Sequence, residues 1–227
     1  MEQSRRITFW KSSWRKGRNS IRSSSLLSLT VALGLFSFSG CASYGPAPPV
    51  VVSAPTAEGT GSLKAAGTLA MVILPTQMPS TMNDVGMLFH QDGTYSQIVP
   101  RDPVGPALDA ILLQTLSTSG FAPTMSLGSS SKDLPTLSLS VKTFEDRVRQ
   151  GLVDAKQTVR ITYTATLVLH EGRTTRTIIR KVERHFSPKP TVSFNPQKLP
   201  TLMGDLFAKS LRKDLLPTLK SKTGVPR

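Results

Sequence analysis

The thirteen residues from Thr158 to His170 alternate so regularly that they leave the chain little choice of architecture. Val159, Ile161, Tyr163, Ala165, Leu167 and Leu169 point one way, and Thr158, Arg160, Thr162, Thr164, Thr166 and His170 the other. A period of two over this length makes a strand with one buried face, and a helix cannot use it. Glu171-Gly172 fits a two-residue turn, after which Arg173 to Phe186 returns antiparallel. That turn predicts Ala165 opposite Ile178, Ile161 opposite Val182 and, on the outer face, Arg160 opposite Glu183. It also places Arg176, Arg180 and Arg184 on the apolar side, where their stems must cover the face and their heads reach its edge.

An apolar sheet face needs a cover, and two amphipathic stretches supply it. Asp102-Pro103 offers a helix start, and Leu108, Ile111, Leu112 and Leu116 recur at three and four residues until Gly120. The second helix, Leu199 to about Leu216, carries Leu199, Leu202, Met203, Leu206, Phe207 and Leu211 on one stripe, with Asp205, Lys209, Arg212 and Lys213 opposite. Leu69 to Leu74 reads as a buried strand, Gly86 to Val99 as a hairpin turning at Asp92-Gly93, and Thr124 to Leu127 as a short strand. Leu137, Leu139 and Val141 alternate with Ser138, Ser140 and Lys142 in a strand that runs raggedly to Arg149. Together these predict one α/β domain over residues 67–222, followed by a disordered tail at 223–227. Its fold is expected to be a two-layer sandwich, a mainly antiparallel or mixed sheet with both helices on one face.

Ahead of the domain the sequence changes character. Residues 1–22 hold Arg5, Arg6, Lys11, Arg15, Lys16, Arg18 and Arg22 against Glu2 alone, and a short apolar run, Leu26 to Phe38, follows. Broken by Ser28, Thr30, Gly34 and Ser37, the run is too short for a bilayer span and suits a signal h-region. Ser4-Arg5-Arg6 with Phe9-Trp10 looks something like a twin-arginine motif, although the long gap to the apolar run fits an ordinary basic n-region better.

The run closes on Phe38-Ser39-Gly40-Cys41, which resembles the lipobox of bacterial lipoproteins. The resemblance implies cleavage between Gly40 and Cys41 and a diacylglyceryl group on the Cys41 sulfur, with palmitate-type acylation of the freed amine. Cys41 is the sole cysteine, so no disulfide supports the fold. Cleavage would remove 40 of the 227 residues with 7 of the 28 basic and 1 of the 14 acidic ones, leaving 187 residues and a charge of +8 rather than +14. Residues 41–66, rich in Pro, Ala, Gly and Ser, read as a tether of about 25 residues at about 3 Å each. Ala42 lacks the aspartate of an inner-membrane retention signal, so the expected site is the outer membrane, facing the periplasm.

No catalytic or metal constellation stands out. His90, His170 and His185 are isolated, no Gly-x-Ser-x-Gly elbow occurs, and no Gly-rich phosphate loop follows a strand. Glu145-Asp146 and Asp154 read as charges flanking an exposed hairpin turn. No cofactor is expected beyond the covalent lipid, and nucleic acid is excluded by the compartment. The basic strand residues Arg160, Arg176, Arg180 and Arg184, with Arg147, Arg149, Arg173 and Lys181 nearby, carry two readings. They form a face for an anionic lipid or polymer, or a solvated surface that discourages edge pairing.

The order of strand, hairpin, helix ending in Ser119-Gly120-Phe121, long alternating strands and last amphipathic helix behind a lipobox is similar to envelope lipoproteins of the YajG type. It also resembles auxiliary lipoproteins of lipid-transport systems, the PqiC type. Either resemblance implies a non-enzymatic, lipid-anchored interaction module with the membrane and an envelope protein as partners. The alternative from a different class is an envelope hydrolase acting on lipid or cell-wall polymer.

Overall fold

The computed structural model describes residues 46–56, 69–80, 82, 84–128 and 133–225. The signal segment, Cys41 and residues 57–66 of the expected tether lie outside the described residues.

The sheet is built around one strand. β6 (Thr136–Gln150) pairs along one whole edge with β7 (Ala155–Glu171), which pairs in turn with β8 (Thr174–Phe186), both antiparallel. The opposite edge of β6 is shared. Its first residues pair in parallel with β2 (Leu69–Ile73), and its last residues with β3 (Gly86–Phe89). β2 continues to β5 (Phe121–Met125), while β3 continues through a hairpin to β4 (Tyr95–Pro100) and then to β1 (Val50–Val52). The sheet curls, with a bulge bending β6 between the stretches that hold its two arms, so the expected two-layer sandwich is corrected to mixed α/β with a curled, open sheet shaped as a half-barrel. β1 comes from the expected tether: Val50-Val51-Val52 is a β-branched run that completes the free edge of β4. Thr56 N–H then donates to Pro200 O at 3.0 Å, so residues 46–56 belong to the domain.

The β7–β8 turn differs from the expected one. Glu171 pairs with Thr174, and the two loop residues are Gly172 and Arg173, because the first loop position needs the left-handed φ of +61° that Gly172 supplies. The register moves by two residues, to Ala165 opposite Arg180 and Ile161 opposite Arg184. An even shift keeps every side chain on its expected face.

β6 holds a less visible change. Leu137, Leu139 and Val141 point to the core, but the register slips between Val141 and Thr143, and beyond this bulge Phe144, Asp146 and Val148 are the buried residues. Nearby, β3 approaches so closely that a Cβ on Gly86 would lie 2.0 Å from the carbonyl oxygen of Asp146.

Two helical segments close the core. α1 (Val104–Ser117) buries the expected Leu108, Ile111, Leu112 and Leu116. Its N-cap is Pro103 rather than Asp102 and makes no side-chain cap bond. The second begins as a 3₁₀ turn, Pro196–Lys198, and continues as α2 (Leu199–Ser210), a π turn (Leu211–Leu215) and α3 (Leu216–Thr223). Pro217 has no N–H and crowds the carbonyl four residues back, and the π turn ahead of it absorbs that defect. Phe207 of α2 meets Phe144 and Tyr163 edge to face, with centroids 6.0 and 5.9 Å away. Residues 223–225, expected in a loose tail, finish the helix: Gly224 caps it in the left-handed conformation and Val225 packs on the core.

Candidate functional site

A cleft of about 750 Å³ opens between the core-facing ends of β6 and β7 and the segment leading into α2. Val148, Ala155 and Gln157 form its sheet wall, and Phe194, Leu199 and Leu202 the facing wall, with Lys189, Lys198 and Asp205 among the polar residues that line it. The segment is held across the sheet end by two backbone bonds: Ala155 N–H donates to Thr191 O at 2.7 Å, and Thr191 N–H to Ala155 O at 3.2 Å. Pro188, Pro190 and Pro196 favour an extended path, and the Asn195 side chain accepts from Gln197 N–H at 2.9 Å to start the 3₁₀ turn. Sequence periodicity could not disclose this cleft, because one wall is an irregular segment.

Behind the sheet wall lies a buried acid. Gln157 Nε2 donates to Asp146 Oδ2 at 2.7 Å, while Asp146 Oδ1 has no hydrogen-bond partner among the described residues. Asp146 is 0% exposed, and burial pushes its carboxyl up to about 7, against the smaller opposing effect of Gln157. It does not flank an exposed turn, as its sequence context suggests. The bulge at Lys142 reverses the phase of β6 and carries Asp146 inside. The signal was present in the change from odd-numbered apolar positions 137, 139 and 141 to Phe144 and Val148.

The four arginines expected to form one anion-binding face do not share a face. Arg160 lies opposite His185 on the outer side and places Nη2 2.9 Å from Glu183 Oε1. Arg176, Arg180 and Arg184 lie on the other side, opposite Leu169, Ala165 and Ile161. Arg184 is committed as well, donating through Nε to Asp214 Oδ2 at 2.7 Å and through Nη2 to Oδ1. The Arg184 hydrogen bonds are the main cause holding the Asp214 carboxyl below its usual range. Ser210 Oγ, 3.4 Å from both Asp214 Oδ2 and Tyr163 OH, links this pair to a tyrosine that burial pushes up to about 12. This network fastens the π turn to the sheet edge and leaves Arg176 and Arg180 as the exposed cations of that side.

The histidines stay apart. His90 lies 2.8 Å from Ser96 Oγ and 3.3 Å from Gln150 Oε1, His170 lies 3.5 Å from Thr175 Oγ1, and His185 lies 3.1 Å from Glu183. Among the described residues no group of three His, Cys, Asp or Glu is placed to hold a metal. The cleft offers apolar walls and, among its polar lining, the ammonium groups of Lys189 and Lys198 and the carboxylate of Asp205.

No family profile and no curated protein matches the chain. Among solved structures it is similar to an uncharacterized protein at 13% identity and a TM-score of 0.49, over 78% of this chain and 99% of the other. It is also similar to a Xanthomonas campestris protein assigned to the family DUF330, at 12% identity and a TM-score of 0.42, over 79% of this chain and 99% of that one. A Helicobacter pylori protein described as a homologue of neuraminyllactose-binding hemagglutinin is similar at 10% identity and a TM-score of 0.33, covering 71% and 88% of the two chains.

Proposed function

We propose that the protein is a lipid-anchored, non-enzymatic binding module of the bacterial envelope, working as an auxiliary subunit of a lipid-transport or assembly complex. The observation that carries this reading is Cys41, the sole cysteine, placed directly after Phe38-Ser39-Gly40 at the close of a basic and then apolar leader. Its thiolate is the nucleophile that accepts the lipid. The open cleft beside Gln157, with apolar walls and lysines among its lining residues, supports a binding role for the folded part.

Cell fractionation tests it. The unaltered protein is expected in the outer-membrane fraction, and Cys41→Ser is expected to leave that fraction. Equal partitioning of the two into the soluble fraction would overturn the anchor. Crosslinking from a photoreactive residue substituted at Ser193 in the cleft is expected to capture one envelope component reproducibly, and absence of any adduct would overturn the binding role.

A further inference from the structure

We infer that the end of the domain bearing Leu152 and Val153 docks on an anionic lipid bilayer, with these two side chains entering its interfacial layer. The argument has three parts, and the last rests on the lipid anchor at Cys41.

The β6–β7 turn is apolar where turns are ordinarily polar. Gly151 N–H donates to Asp154 O at 2.7 Å, closing the turn and leaving Leu152 91% and Val153 83% exposed. Val192 is 89% exposed and follows Thr191, the residue bonded to Ala155 at the foot of the same turn. Three large, exposed apolar side chains are thus presented at one end of the sheet. Apolar side chains grouped this way on a projecting end suit the headgroup boundary, where each gains from leaving water.

Cations flank them. Arg149 and Lys156 are cross-strand partners below the turn, both exposed, and Lys189 is exposed near Val192. The acids at this end that are not fully buried include Asp92, Asp154 and the cleft-lining Asp205, and Asp92 is already engaged by Thr94 through N–H at 2.9 Å and Oγ1 at 2.7 Å. Basic residues set behind an apolar tip match a surface that is apolar within and negative at its face.

The chain reaches the sheet at this same end. Pro46 bridges to Tyr95, Tyr95 pairs with Phe89, and Phe89 pairs with Arg149. The neighbouring hairpin also touches the turn, where Gln91 Nε2 donates to Gly151 O at 2.5 Å. Cys41 precedes Pro46 by five residues, at most about 18 Å of extended chain. A lipid on Cys41 therefore holds this end, and no other, against the bilayer. The cleft, lined in part by Lys189 and Val192, then opens beside the membrane.

The tryptophans of the sequence, Trp10 and Trp14, both precede Cys41, so the processed chain offers a clean background for a tryptophan reporter. The processed full-length protein carrying Leu152→Trp is mixed with vesicles of phosphatidylethanolamine containing a minor share of phosphatidylglycerol. Its control carries Leu127→Trp, 91% exposed after β5, at the end of the sheet where β6 begins. A blue-shifted emission quenched by brominated acyl chains is expected for Leu152→Trp and not for Leu127→Trp. Adding Val153→Asp to Leu152→Trp is expected to abolish the shift. Intact mass separates this reading from the anchor. A lipidated chain whose Leu152→Trp emission stays water-like keeps the anchor and overturns the docking, and an unlipidated chain that still shifts does the reverse. A shift that requires an envelope protein and fails with vesicles assigns the tip to a protein partner and overturns the docking.

Discussion

Asp146 and Asp214 pull the stability of this fold in opposite directions with pH. Asp146 titrates near 7 in the folded protein, above its ordinary value, so the folded state holds its proton more tightly than the unfolded chain does. Its favourable contribution is complete below about pH 4 and is lost as pH rises through about 7, a difference of about 4 kcal/mol at most. Asp214 is held below its usual range by Arg184, so its contribution is present above about pH 4 and is lost as pH falls below that. Stability should therefore peak near about pH 4 and fall progressively from there towards about pH 7. Urea unfolding at pH 5 and pH 8 checks this. The unaltered protein is expected to lose a few kcal/mol between the two, and Asp146→Asn, which keeps an oxygen for Gln157, is expected to lose almost none. An equal slope for both proteins would show that Asp146 is not the titrating group. Gly86→Ala tests the close approach beside it, and should cost roughly 3 kcal/mol by forcing β3 away from β6.

The elements were legible where one period ran unbroken. The alternation from Val159 to Leu169 lies in the core as its spacing predicts, and of the helical stripe Leu199, Met203, Phe207 and Leu211 do, while Leu206 only packs against the core and Leu202 lines the cleft. Phe207→Ala, which removes the ring set between Phe144 and Tyr163, should destabilise by about 3–5 kcal/mol in thermal or denaturant unfolding. What escaped the sequence were defects in a period. A single extra residue at Lys142 turned Asp146 inward, and Pro217 bent the helix pattern into a π turn that brings Asp214 to Arg184. The arginines show the same limit. Their strand positions gave the side chain parity of Arg176, Arg180 and Arg184, and the hairpin brought Arg160 near Glu183, yet the Asp214 that occupies Arg184 comes from the π turn. Changing Arg176 and Arg180 together to Gln should move stability by less than about 1 kcal/mol, because both are exposed. A larger loss in a denaturant titration would mean that their stems cover core.

At the scale of the molecule, β6 shares one edge between two arms, and the pairing gathers three features at one end. The β6–β7 turn with Leu152 and Val153, the first described residue Pro46, and the cleft beside Gln157 all meet there. Sequence suggests a leader and a lipidation site at Cys41 but not this convergence, since residues 46, 95, 149 and 191 become neighbours only through strand pairing. The proposed role as an anchored module stands on the lipid, because only a held chain keeps that end toward the bilayer. The most direct measurement is the intact mass and N-terminal fragment spectrum of the protein purified from the membranes of a lipoprotein-processing bacterium. A mature chain beginning at Cys41, with a diacylglyceryl group on its sulfur and an acyl group on its amine, is the expected result. A chain that retains residues 1–40, or that starts elsewhere with the Cys41 thiol free, would contradict the account.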